Sequence, residues 1–199
     1  GVLVTTISSF AAYHQQSKPW EHQALIKARV VGGNVDEKWR ESVDKLLSKS
    51  AYEWKIPDDL HLKIAHLRGR KEKELSGETF QQKNLKEGRG GLLDIEFLTQ
   101  YLQLKFVQRF PKLRTPETLK ALEVIKKEAL ISSDEATFLQ EAYRWIRQIE
   151  TALRLLFDQS VNTLNLNEDQ TLHLEALLRR QGQFDNIPST LGKTSDKVR

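Results

Sequence analysis

The chain has 199 residues, 31 Lys and Arg against 27 Asp and Glu for a net charge of +4, 39% hydrophobic residues and no cysteine. That length makes one domain, or one with part of another, and hides roughly 70% of the unfolded surface. The composition excludes a disordered chain, a disulfide scaffold, a thiolate metal site and a cysteine nucleophile, and no apolar run reaches the roughly 18 residues of a membrane span.

The first residue is glycine and methionine is absent, so the chain reads as a piece of a longer product. Residues 2–7 are β-branched and apolar without helical period, which predicts a short N-terminal strand left from a neighbouring sheet. Helices follow. Ser8 or Ser9 caps a short one ending near residue 16, and Pro19 opens a second over 20–31, stopped by Gly32-Gly33-Asn34. A third spans 36–50 with Trp39, Val43, Leu46 and Leu47 at helical spacing. A fourth starts after Pro57-Asp58-Asp59 with Leu60, Ile64 and Leu67 on one side, and runs to about residue 75. Residues 76–91 read as irregular, and 92–109 as a helix apolar nearly all round, suited to the centre of a bundle. Thr115-Pro116-Glu117 opens a helix to residue 129, and Ser133-Asp134-Glu135 caps the longest, over 136–158. The last is expected over 167–181, with a polar tail from Gly182. The fold class is therefore all-α, a helical bundle with an N-terminal strand stub, divided as 1–34, 35–182 and a tail 183–199.

Two segments have residues suited to chemistry. In Trp20-Glu21-His22-Gln23-Ala24-Leu25-Ile26-Lys27-Ala28-Arg29, a regular helix puts Lys27 and Arg29 about 200° apart, so they cannot share one phosphate. Either one faces an anion, or the helix is an amphipathic one with Trp20 packed and its charges solvated. In Lys86-Glu87-Gly88-Arg89-Gly90-Gly91-Leu92-Leu93-Asp94-Ile95-Glu96-Phe97, glycines ahead of a helix leave N–H groups for an anion, and Lys86 and Arg89 add charge. The alternative is a packed helix start in which Asp94 and Glu96 cap and form ion pairs. They too lie about 200° apart, so they are no paired acid and base. The five histidines show no metal-ligand spacing, and the charges interleave, as in Lys71-Glu72-Lys73-Glu74, instead of forming the basic stripe of a nucleic-acid binder.

Together these segments resemble the bacterial glutamine synthetase adenylyltransferase/adenylyl-removing enzymes. The likeness runs from Gly1-Val2-Leu3-Val4-Thr5 through Trp20-Glu21-His22-Gln23 and Gly90-Gly91-x-x-Asp94-Ile95-Glu96-Phe97 with Gln100, and weakly to Arg114, Tyr143 and Glu150. Asn34 stands where that family usually has an acid, and Leu93 at a position often polar. The resemblance implies a nucleotidyltransferase palm followed by a helical domain, repeated in two halves. One half transfers AMP from ATP to a tyrosine of glutamine synthetase, and the other removes it by phosphorolysis, under control of the PII signalling protein. The spelling of both motifs resembles the C-terminal, adenylylating half. The implied cofactors are ATP and Mg²⁺, held mainly by palm aspartates ahead of Gly1, so no catalytic or metal-binding residue is expected in this chain and the chain alone is expected to be inactive. Lys27, Arg29, Lys86 and Arg89 are the expected nucleotide or phosphate contacts. Trp20 and Glu21 are expected to orient the first motif helix, and Gly90, Gly91, Asp94 and Glu96 to form the junction facing the palm. The expected partners are glutamine synthetase and PII, with neither nucleic acid nor membrane, in the cytoplasm. A helical docking module that binds those partners without touching nucleotide is the other reading.

Overall fold

The computed structural model describes residues 5–33, 36–157, 162–166, 168–179 and 187–198, and they are mostly helical, as the periodicity predicts. The strand expected over 2–7 lies largely outside the described residues. Thr5 and Thr6 are not in a strand, and Ile7 opens the first helix, α1 (Ile7–His14). Its cap is Thr6, not a serine: the Thr6 hydroxyl accepts from Ser9 N at 3.1 Å. Helix α2 covers Pro19–Leu25 only. Its end tightens through bonds from Ile26, Lys27 and Ala28 N–H to the carbonyls three residues back. The β-branched Ile26, Val30 and Val31 that follow are weak helix formers. Arg29 therefore lies outside the helix, and the angular argument from a continuous 20–31 helix does not apply. Asn34, at the expected stop, lies outside the described residues.

Helix α3 (Glu37–Tyr52) starts where expected, with Asp36 Oδ1 accepting from Trp39 N at 2.7 Å. Helix α4 (Leu60–Leu75) also follows the reading. Within the irregular 76–91 stretch the sequence missed β1 (Gln82–Asn84), which pairs antiparallel with β2 (Thr163–Asn165), Lys83 opposite Leu164. Three-residue strands give no usable period, and their partners lie some 80 residues apart. Helix α5 (Leu92–Phe106) has Leu92, Ile95, Leu104 and the flanking Val107 buried, and its interior also takes Thr99, Gln100 and Gln103. A 3₁₀ turn (Pro111–Leu113) precedes α6 (Thr118–Lys127). Helix α7 (Ser133–Phe157) is the longest and buries Ala136, Leu139, Ala142, Ile146, Ile149 and Leu153, spaced three or four apart. Its cap is Ser132, one residue earlier than expected: Ser132 Oγ accepts from Glu135 N at 3.2 Å and Glu135 Oε2 accepts from Ser132 N at 2.9 Å. After α8 (Glu168–Arg179), the expected polar tail is corrected by α9 (Ile187–Val198), whose Ile187 and Leu191 are buried four residues apart. That spacing is too short to stand out among the surrounding polar residues. Residues 167 and 180–186 lie outside the described residues.

The chain forms two compact units, each drawn from two segments: 1–66 with 99–130, and 67–98 with 131–199. In the first, α3 packs on α1 and α2. In the second, α7, α8 and α9 pack mutually beside the β1–β2 pair. No helix among the described residues is long and apolar enough to cross a membrane.

Candidate functional site

In the first unit, the Trp20 motif is arranged around buried polar side chains. Glu21 Oε2 accepts from Lys18 N at 2.7 Å and so closes the start of α2, while Tyr13 Oη donates to Glu21 Oε1. The Tyr13 hydroxyl first, then the Lys18 N–H, hold the Glu21 carboxyl below the ordinary glutamate range. Trp20 is half exposed, so the packed-tryptophan alternative does not describe it. The next two residues turn inward. His22 is buried, its Nδ1 lies 2.6 Å from Ser50 O, and its ring stacks on Trp54 at 4.2 Å. Gln23 Nε2 donates to Gln100 Oε1 at 2.7 Å. Lys27 Nζ donates to Thr118 Oγ1 at 2.5 Å. Arg29 is exposed and lines a pocket with Arg114.

In the second unit, the glycine segment is organised by two buried polar residues. Asn84 Oδ1 accepts from Lys86 N at 3.0 Å and Glu87 N at 2.9 Å. Arg68 makes a two-pronged contact with Asp94, Nε to Oδ1 at 2.7 Å and Nη2 to Oδ2 at 2.8 Å, and Nη2 also donates to Gly88 O at 2.7 Å. Asp94 Oδ2 accepts from Gly90 N at 2.7 Å. Gly90 has φ +69°, and a Cβ there would meet Ser195 Cα at 2.3 Å, so α9 closes directly over the glycine backbone. The N–H groups expected to await an anion are satisfied by the chain itself: Arg89 N donates to Glu78 Oε2, Gly91 N to Gly88 O, Leu92 N to Leu85 O and Leu93 N to Lys86 O. Lys86 Nζ lies 3.3 Å from Glu87 Oε1, while Arg89 is exposed. Glu96 Oε1 accepts from Tyr143 Oη at 2.9 Å and lies 3.5 Å from Arg147 Nη2. Arg147 and Arg154 also hold the buried Glu150, at 2.7 and 2.8 Å. Burial opposes the Arg147 charge, but hydrogen bonds to Tyr143 and Glu150 outweigh it and raise its pKa.

The structure thus joins Gly90, Gly91 and Asp94 in one hydrogen-bonded turn, and it ties Glu96 to α7. The residue that sequence reasoning missed is Arg68. It follows Leu60 and Ile64 at intervals of four, so an arginine on the buried stripe of α4 was the signal of an acid partner. The weakly weighted Tyr143 and Glu150 belong to the Glu96 network. Among the described residues, no group of three His, Asp or Glu is placed to hold a metal ion.

Comparison with known proteins separates the chain into two matches. Residues 58–190 match the family model described as GlnD PII-uridylyltransferase, and residues 1–43 match that described as glutamate-ammonia ligase adenylyltransferase. The chain is similar to proteins named bifunctional glutamine synthetase adenylyltransferase/adenylyl-removing enzyme. It is 31% identical to that of Nitrosococcus oceani over 78% of this chain and 16% of the relative. It is 33% identical to that of Rhodopseudomonas palustris over 82% of this chain and 16% of the relative. For Pasteurella multocida the identity is 29% over 93% and 19%. The chain spans less than a fifth of the length of these relatives.

Proposed function

Because the chain belongs to the family of the glutamine synthetase adenylyltransferase/adenylyl-removing enzymes, we propose that it is the helical part of an enzyme that transfers AMP from ATP to a tyrosine of glutamine synthetase, in the adenylylating half. The supporting observation is the identity held across most of the chain with relatives of that name. The spelling of Trp20-Glu21-His22-Gln23 and Asp94-Ile95-Glu96-Phe97 favours that half.

Mg²⁺ does not fit the described acids of the second motif. Asp94 is taken by Arg68 and Gly90, and Glu96 by Tyr143 and Arg147. In this reading the carboxylates for metal-assisted transfer belong to a nucleotidyltransferase palm, and the chain alone is inactive. Its own task is to present cations to the nucleotide and to shape the protein-substrate surface. Arg89 is the foremost phosphate contact, since its side chain is exposed on the turn that Arg68 and Asp94 fix. Lys86, in the same unit, joins it by exchanging Glu87 for phosphate oxygens, and Lys27, in the first unit, is a separate candidate contact now held by Thr118.

A second reading is docking to glutamine synthetase or PII without nucleotide contact. It is favoured by the protein partners already held by Lys27, Lys86, Asp94 and Glu96. Thermal stabilisation by ATP·Mg²⁺, measured on the protein that carries this chain together with its palm, separates the two. The nucleotide reading predicts that Arg89→Ala removes much of that stabilisation. A full shift in the variant, with weakened glutamine synthetase binding, establishes the docking reading instead.

A further inference from the structure

Within the first unit, α2, α3 and the turn before α6 enclose a pocket of about 210 Å³. Leu25, Ile26, Leu47, Ala51 and Pro116 supply apolar walls. Two arginines and one acid line it as well. Arg29 is exposed and has no hydrogen-bond or ion-pair partner among the described residues. Arg114 spends only Nη1, on Glu53 Oε1 at 3.0 Å and Ser48 Oγ at 3.4 Å, so its Nε and Nη2 donors have no partner among the described residues. Its guanidinium also sits 5.8 Å from the Tyr52 ring centre, within reach of a cation–π contact. Asp44 lines the same pocket and pairs with neither arginine.

Unpaired guanidinium donors beside an apolar wall suit an anion with a hydrocarbon body, because the planar fork matches a two-oxygen acceptor. The charge selects among anions. Asp44 and the Glu53 already held by Arg114 offset the two arginine charges, so a monoanion disturbs that balance by one charge and a dianionic phosphate by two. The volume lies below the roughly 300–1,000 Å³ usual for larger ligands, which limits the body to a few carbons. We propose that this pocket binds a small aliphatic monocarboxylate, its carboxylate on Arg29 and Arg114 and its carbon chain against Ile26, Leu47 and Ala51. This site is independent of AMP transfer and stands or falls apart from it.

The test is a titration of the chain with 4-methylvalerate, followed by amide NMR shifts of residues 25–29, 44–51 and 114–116. Saturable shifts confined to these segments are expected. The uncharged 4-methylvaleramide and inorganic phosphate should each bind at least about tenfold more weakly, as should the carboxylate to Arg29→Gln or Arg114→Gln. Asp44→Asn should tighten it, a direction that a merely structural role does not produce. Absence of saturable shifts, equal binding of the amide, tighter binding of phosphate, or unchanged affinity in Arg29→Gln would each overturn the proposal. Arg29 is exposed, and an unchanged melting curve of the free variant certifies that it folds.

Discussion

Asp94 accepts from both Arg68 and Gly90, so a change at Arg68 reaches the glycine turn as well as the helix. Arg68→Met should cost about 3 kcal/mol in urea unfolding, because it leaves the Asp94 charge with little solvent and no cation; a cost under about 1 kcal/mol would refute the pairing. Glycine substitutions rank by what surrounds them. Gly90→Ala combines a left-handed φ with a 2.3 Å approach to Ser195 backbone, and should destabilise by more than about 2 kcal/mol. Gly69→Ala, in open space inside α4, should stabilise by about 0.5–1 kcal/mol. The same unfolding series checks both, and reversal of their order would contradict the account. At this scale the motif residues were legible but their partners were not. Asp94 and Glu96 stand out in an apolar helix, whereas Arg68 and Arg147 are met across gaps of 26 and 51 residues that no local spacing encodes.

Helix ends show how far local chemistry goes. Asp36 and Pro19 mark their starts as expected, whereas α2 stops at Leu25, well before the glycines that suggested its end. The end of α6 was placed well, but its residue choice is strained. Ala129 takes φ +52°, Leu130 N donates to Ile125 O and Ala129 N to Lys126 O, a stop normally made by glycine. Ala129→Gly should therefore raise stability by about 0.5–1 kcal/mol, the relief of the left-handed cost less the added freedom of the unfolded chain. A lowered urea midpoint would count against that end. The start of α7 titrates. The Ser132 hydroxyl, then its N–H, hold the Glu135 carboxyl below the ordinary glutamate range. A lowered folded pKa gives stability that is complete above the unfolded value and is lost as pH falls through the folded one. Between about pH 6 and about pH 3, Glu135→Gln should therefore lose less Tm than the parent chain; an equal loss in both would remove Glu135 from the cap.

For the whole molecule, helical periodicity carried the fold, because long amphipathic stripes such as that of α7 repeat over many turns. It failed where elements are short or non-local, at β1, β2 and α9. The candidate site was legible as residue types at a family's spacing. Its geometry was not, since hydrogen bonding within the chain occupies the N–H groups around Gly90 that composition offered to an anion. The proposed function gives this chain a supporting role in a nucleotidyltransferase, with the metal-holding carboxylates in another part of the protein. The most direct test is the intact mass of glutamine synthetase after incubation with ATP·Mg²⁺ and either the chain alone or the protein that joins it to its palm. The account predicts an AMP-sized increment with the joined protein and none with the chain. An increment produced by the chain alone, or by neither, would contradict it.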